Sequence, residues 1–137
     1  LRALGRVIDS TGLFPAELLG GMMSGYLNGN PSAEVWLTIG RREPLGIVYG
    51  APERLTDGTW NMLLLAVRRD AQRCGVGATL VRAFEEELRA RQVRLVLVET
   101  SGLDEFEGTR QFYSKSGYEQ EARIRSFYRD GEDKIVF

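Results

Sequence analysis

The sequence predicts a layered α/β (α+β) domain with a mixed, mostly antiparallel sheet flanked by helices, and three features carry that expectation. Two apolar strand-like runs, 59–67 and 95–99, bracket an amphipathic helical stretch; a hairpin-like pair precedes them; and a second strand pair closes the chain. Strand, helix and strand in succession lay the two runs parallel, while the hairpins add antiparallel neighbours. With 137 residues, 43% of them hydrophobic, the chain suffices for one well-buried core and is too short for two ordinary domains. Residues 1–137 therefore read as a single domain.

Taken in order, Leu1, Leu4, Val7 and Ile8 recur at helical spacing, and Gly12 follows where a helix-ending glycine belongs. Pro15 suits the first turn of a second helix running through Leu18, Leu19, Met22, Met23 and Tyr26, which "NGNP" (28–31) ends; glycines 20, 21 and 25 weaken it. "EVWLTI" (34–39) alternates, with Val35, Leu37 and Ile39 on one face, and "PLGIVYG" (44–50) is its hairpin partner. After the turn "TDG", the run "TWNMLLLAV" (59–67) looks like a strand buried on both faces. From Thr79 to Arg91 the pattern is helical, with Leu80, Val81, Phe84 and Leu88 opposed to Arg82, Glu85, Glu86 and Arg89. "LVLVE" (95–99) is a second buried-type strand. A polar loop (100–108) leads into a short helix, "TRQFYSKS", stopped by Gly117, and "ARIRSFY" (122–128) and "KIVF" (134–137) close the chain around "RDGED".

Composition narrows the function. The net charge of −1, with both signs interspersed, gives no footprint for nucleic acid or a membrane surface, so a small-molecule partner is expected. No apolar run approaches the ~18 residues of a membrane span, and the chain reads as cytoplasmic. With no histidine and one cysteine, Cys74, neither a metal site nor a Ser-His or Cys-His pair is expected.

The stretch "RRDAQRCGVGATL" (68–80) carries the chemistry. A helix start offers unpaired N–H groups and partial positive charge to an anion, and Gly75 and Gly77 permit unusual dihedrals and close approach of a ligand. Arg68, Arg69 and Arg73 add charge, so a pyrophosphate suits the loop. A P-loop is excluded by the lack of its lysine pattern, and a dinucleotide fingerprint by Leu80 where it needs a small residue. What fits is Q-x-x-G-x-G, "QRCGVG" (72–77), after "LAVRRDA" and before a helix.

That stretch resembles the acetyl-CoA signature of the GNAT superfamily of N-acetyltransferases, and "TRQFYSKSGY" (109–118) resembles the family's late helix and its exit. The resemblance spans roughly 33–137 and is specific over about 60–80 and 109–118. It implies acetyl-CoA as cofactor and a sheet splayed at its central strands. Backbone groups of Leu65, Ala66 and Val67 would hold the pantetheine arm, and Gln72, Arg73, Gly75, Val76, Gly77, Ala78 and Thr79 the pyrophosphate. Tyr113 matches the tyrosine that protonates the departing thiolate, a role suited to a phenol. The resemblance also implies direct attack by an amine on a small molecule or peptide, and in many relatives two copies pair through the late strands.

Three positions depart from the pattern. The family's first strand has no counterpart before Leu1, as if trimmed. Phe106 stands where many members carry asparagine, and Asn61 where many carry a glutamate base. Glu99 is the better base candidate because it ends an apolar strand on the face of Leu95 and Leu97, where a half-buried carboxylate takes up a proton more readily. An exposed or arginine-paired Glu99, or a water relay, stands beside that choice. Cys74, at a variable position in the phosphate loop, is set aside as a nucleophile despite its helix start. Two rival functions remain: a CoA-binding domain without catalysis, and an α/β module for another phosphate ligand or a protein.

Overall fold

A computed structural model describes residues 1–29 and 33–137. Helix α1 (Arg2–Thr11) buries Val7 and Ile8, and Gly12, at φ 65°, closes it by donating its N–H to Ile8 O. The second helix expected from Pro15 to Tyr26 is instead two short pieces, α2 (Leu18–Met22) and α3 (Ser24–Leu27), parted at Met23, whose φ of −87° and ψ of 0° leave the helical region. Glycines 20, 21 and 25 supply too little helix propensity to bridge that point, and only Leu19 and Met23 are anchored in the core. Asn28 and Gly29 follow α3 as a turn, whereas the rest of the expected break lies outside the described residues.

Six strands form the sheet: β1 (Val35–Ile39), β2 (Gly46–Pro52), β3 (Thr59–Val67), β4 (Leu95–Ser101), β5 (Ala122–Arg129) and β6 (Glu132–Val136), in the order β1-β2-β3-β4-β6-β5. Only β3 and β4 run parallel, joined through α4 (Val76–Ala90). Several expectations shift. The strand at 95 extends two residues further than expected, and Leu95 is 46% exposed rather than buried. Glu132 and Asp133 belong to β6 rather than to the turn, which is correspondingly tighter. Helix α5 (Glu107–Lys115) starts two residues earlier than the pattern at Thr109.

Alternation splits the sheet's apolar residues into two cores. Val35, Val48, Trp60, Met62 and Val98 meet α4 and α5 through Leu80, Phe84, Leu88 and Tyr113. Trp36, Ile47, Tyr49, Leu64 and Ala66 meet α1 and α2 through Val7, Ile8 and Leu19. Leu37 and Ile39 join Val35 on the α4 side, as the alternation of "EVWLTI" requires. The run 59–67 changes its phase of alternation midway, Leu65 and Val67 replacing Trp60 and Met62 on the α4 side. Tyr49 pairs with Leu64 and Gly50 with Met62, so Leu63 has no partner on β2 and forms a β-bulge. Before it, Trp60 and Met62 face α4; beyond it, Leu64 and Ala66 face α1.

Helix α4 lies close against β2 because two glycines let it. A Cβ on Gly46 would come 2.8 Å from Leu80 Cδ1, and one on Gly50 would overlap the Phe84 ring. We expect Gly50→Ala to cost about 1–3 kcal/mol by overpacking. Gly21→Ala, where nothing lies within 4 Å, is expected to stabilise by up to about 1 kcal/mol. Urea denaturation of the two variants beside wild type measures both.

Candidate active site

The site begins where β3 and β4 part. They pair only from Thr59↔Leu95 to Met62↔Val98. Past that point β4 goes on with β6 alone, through Glu99↔Val136 to Ser101↔Lys134, and β3 with β2 alone. The divergence starts at the Leu63 bulge, whose extra residue turns the strand. Arg68 N–H donates to Leu45 O at 2.8 Å, which fixes the parity of the β2–β3 ladder: Leu64, Ala66 and Arg68 bond toward β2. The N–H and C=O groups of Leu65 and Val67 therefore face the opening, where no strand meets them. Such a slot presents a row of main-chain donors and acceptors to any extended ligand that carries amides.

At its end the Val67 carbonyl accepts a hydrogen bond from Gln72 Nε2 at 3.0 Å, which folds the next loop back against the strand. Arg73 at φ 61° and Gly75 at φ 80° then turn the backbone sharply into α4. The first helical bond runs from Thr79 N–H to Gly75 O at 3.0 Å. Val76, Gly77 and Ala78 N–H groups precede it and have no intrahelical partner. Space above Gly75 is open, and a Cβ on Gly77 would come 3.4 Å from Phe112 Cζ. The loop suits a diphosphate by its donors and by its room. Of its three arginines, Arg68 is paired with Asp70 Oδ1 at 2.6 Å and Glu43 Oε2 at 3.4 Å, leaving Arg69 and Arg73 exposed for an anion. Cys74 is exposed, its sulfur 3.5 Å from Gln72 O.

Helix α5 closes the slot from the α4 side. Arg110 fastens it to the departing strand, donating through Nη1 to Ser101 O at 2.7 Å and Leu103 O at 2.8 Å. Two residues on, Phe112 reaches Gly77, while Tyr113 is 5% exposed among Phe112, Tyr118 and Phe137. Burial pushes the Tyr113 phenol up to about 12, so it is a protonated donor at neutral pH. Phe106, at the α5 start, is half-buried.

Glu99 stands at the parting of the strands, with Oε2 3.0 Å from Lys134 Nζ. Lys134 is itself buried, its ammonium 3.5 Å from the centre of the Phe127 ring. The partner is thus a lysine from the last strand, not an arginine. Asn61, two residues before the bulge, is 3% exposed and donates through Nδ2 to Glu53 Oε1 at 2.9 Å.

The sequence pattern did not single out Arg110, Lys134 or Glu53. Arg110 lies inside the late-helix motif and Lys134 in a charged turn pattern, and only the tertiary contacts distinguish them. The one available signal was Lys134 opening an otherwise apolar "KIVF". Arg123 pairs with Asp133 Oδ2 at 2.6 Å, and the β5–β6 register breaks between Ile124 and Arg129. Among the described residues there is no cluster of three potential metal ligands and no helix long and apolar enough to cross a membrane.

A parted parallel strand pair, a glycine loop with free N–H groups at the following helix start and a buried tyrosine on the next helix together fit an acyl-CoA-dependent transferase architecture. The family model for the acetyltransferase (GNAT) domain matches residues 31–120, and the chain belongs to that family of enzymes, which use acetyl-CoA and act on small-molecule or protein amines. A GNAT-family protein from Desulfovibrio desulfuricans superposes with a TM-score of 0.92 at 28% identity, over 98% of this chain and 88% of that one. An aminoglycoside 6'-N-acetyltransferase complexed with coenzyme A shares the fold at a TM-score of 0.77 and 18% identity, over 98% and 87%. The ribosomal-protein-S18-alanine N-acetyltransferase from Escherichia coli does so at 0.75 and 16%, over 98% and 83%. None of the curated proteins matches the sequence.

The raised Tyr113 phenol makes stability depend on pH. Its contribution is complete below the unfolded value near 10 and is lost as pH rises toward about 12. Between pH 9 and 12 wild type is expected to lose about 2–3 kcal/mol more stability than Tyr113→Phe, measured by urea denaturation along the pH series.

Proposed function

We propose that this protein transfers an acetyl group from acetyl-CoA to a primary amine by direct attack. The observation that carries the proposal is the unpaired edge of β3 at Leu65 and Val67, ending at the open loop around Gly75. Bound there, acetyl-CoA supplies the activated acyl group. Leu65 and Val67 hold the pantetheine arm by main-chain bonds, whereas Ala66, expected from the sequence to share that role, turns its N–H and C=O toward β2 and only spaces them; a β3 N–H beside the bulge polarises the thioester carbonyl. Gln72, Arg73 and the main chain from Gly75 to Thr79 hold the diphosphate, with Val76, Gly77 and Ala78 donating their free N–H groups.

Tyr113 donates its phenolic proton to the departing thiolate, a role its protonated state at neutral pH supports. Glu99 takes the proton from the amine through Oε1, because Oε2 is engaged by Lys134. Pairing of two copies along β5, where every residue is exposed, belongs to the same proposal, as does a cytoplasmic site of action. The second reading, a domain that binds CoA without catalysis, is favoured by two features: Asn61 has an amide where many relatives carry a carboxylate, and Phe106 stands where many carry asparagine.

Calorimetric titration of acetyl-CoA and CoA tests the proposal. Wild type is expected to bind both, and folded Gly75→Trp neither. Tyr113→Phe is expected to retain binding and to lose about 100-fold in kcat with an accepted amine. No binding by folded wild type would overturn the acetyltransferase reading; full activity in Tyr113→Phe would remove the tyrosine from its role.

A further inference from the structure

The α1 side of the sheet is only partly covered. Helix α1 packs on β2 and β3, and on β3 the core of that side consists of Leu64 and Ala66. Next to this core lie Leu63 and Leu95, 51% and 46% exposed, with the half-buried Leu97. None of the three joins either core. The register Asn61↔Leu97 sets Asn61 directly across from Leu97 on the same face, and Leu63 follows two residues along the strand.

Asn61 has one satisfied end and one unsatisfied end. Its Nδ2 is committed to Glu53 Oε1, and this fixes the amide, since a carbonyl oxygen turned toward a carboxylate would be repelled. Its Oδ1 therefore points away from Glu53, buried and accepting no hydrogen bond. A buried amide oxygen without a donor is costly, and native structures seldom keep one without reason. The charged side chains brought to this patch are Glu53, held by Asn61, the Glu99–Lys134 pair, and at the Leu95 end Arg94, which donates through Nη2 to Thr59 Oγ1 at 3.3 Å. The patch thus combines a hydrogen-bond acceptor backed by negative charge with a leucine floor.

We propose that this patch is the acceptor subsite and that it takes a primary amine carried on an unbranched apolar chain. The proposal rests on the acetyl-transfer reading. The amine nitrogen donates to Asn61 Oδ1, Glu53 orients that amide and offsets the positive charge, and the carbon chain crosses Leu97 and runs toward Leu63, with Leu95 on the other side of Leu97. A polyhydroxylated or peptidic acceptor would leave its polar groups unmet on the leucines, and is disfavoured. Asn61 is then a binding group rather than a failed base.

The test titrates n-hexylamine and the polar amine of similar length 2-(2-aminoethoxy)ethanol into the full chain, with and without CoA, followed by saturation-transfer NMR and calorimetry. Hexylamine is expected to bind about tenfold or more tightly than the polar amine. Asn61→Leu should weaken hexylamine by about tenfold, and Asn61→Asp should hold it at least as well as wild type. Leu63→Asn, at an exposed position, should keep amine binding and erase the preference for hexylamine. Equal affinity for the two amines, or hexylamine binding unchanged in folded Asn61→Leu, overturns the proposal. If Asn61→Leu does not fold, an unchanged preference in Leu63→Asn overturns it alone. A dimer that Leu63→Asn dissociates, seen by sedimentation, would show the patch covered by a second copy and also overturn it. CoA titrated into the same samples separates the two readings: CoA bound without hexylamine removes this subsite alone, while hexylamine bound without CoA keeps the subsite and removes the acetyl-transfer reading.

Discussion

Leu63, the residue of β3 with no partner on β2, governs the geometry of the whole centre. One extra residue bends the strand away from β4 and turns the main chain beyond it toward open space, where Leu65 keeps both its hydrogen-bonding groups unspent and Val67 its N–H. A sheet normally pairs every interior strand on both sides, and an interior strand with a bare edge carries a cost in unmet polar groups. That cost is borne only over the last third of β3. Further back, the parallel pairing with β4 holds the two strands at a fixed separation, so the opening has a rigid hinge.

Everything that lines the opening is fastened near that hinge. The two glycines of β2 bring α4 down onto the sheet, which places its N-terminal turn at the end of β3. Gln72 ties the intervening loop to the Val67 carbonyl. On the other side Arg110 binds α5 to the carbonyls at the end of β4, so the helix carrying Tyr113 follows the diverging strand. Lys134 holds Glu99 from the last strand, under the Phe127 ring. Both walls are thus anchored by single polar side chains reaching main-chain or carboxylate oxygens. Such contacts fix direction more firmly than apolar packing, which is non-directional.

Much of this was legible in the sequence. The order of elements follows from periodicity, because the buried faces of α1, α4 and the hairpin are long enough to impose it. The loop at 72–79 was readable because glycine spacing at a helix start is a local property. Tyr113 was legible through its motif. The bulge was not: "MLLLAV" is uniformly apolar, and a uniform run conceals a change of facing that an alternating run would display. The exposure of Leu95 was hidden for the same reason, since a leucine on an uncovered sheet face looks no different from one in a core. Lys134 and Arg110 are defined by partners more than six residues away in the chain, beyond the reach of local pattern. The broken helix at Met23 is an intermediate case. Three glycines announced weakness without saying where the break would fall.

The Leu63 bulge also bears on how this chain tolerates change. Because it shifts the alternation by one, residues 59–62 and 64–67 are in opposite phase: the α4 side takes Trp60 and Met62 before the bulge and Leu65 and Val67 after it, while Leu64 and Ala66 take the α1 side. Side-chain replacement at position 63 alters a half-exposed leucine and leaves the phase intact. Loss of a single residue from β3 would instead rotate one whole half of the strand, sending Leu64 and Ala66 toward α4 or Trp60 and Met62 toward α1. The length of this strand is therefore under tighter restraint than its composition. In this part of the chain a deletion and a substitution are different kinds of event.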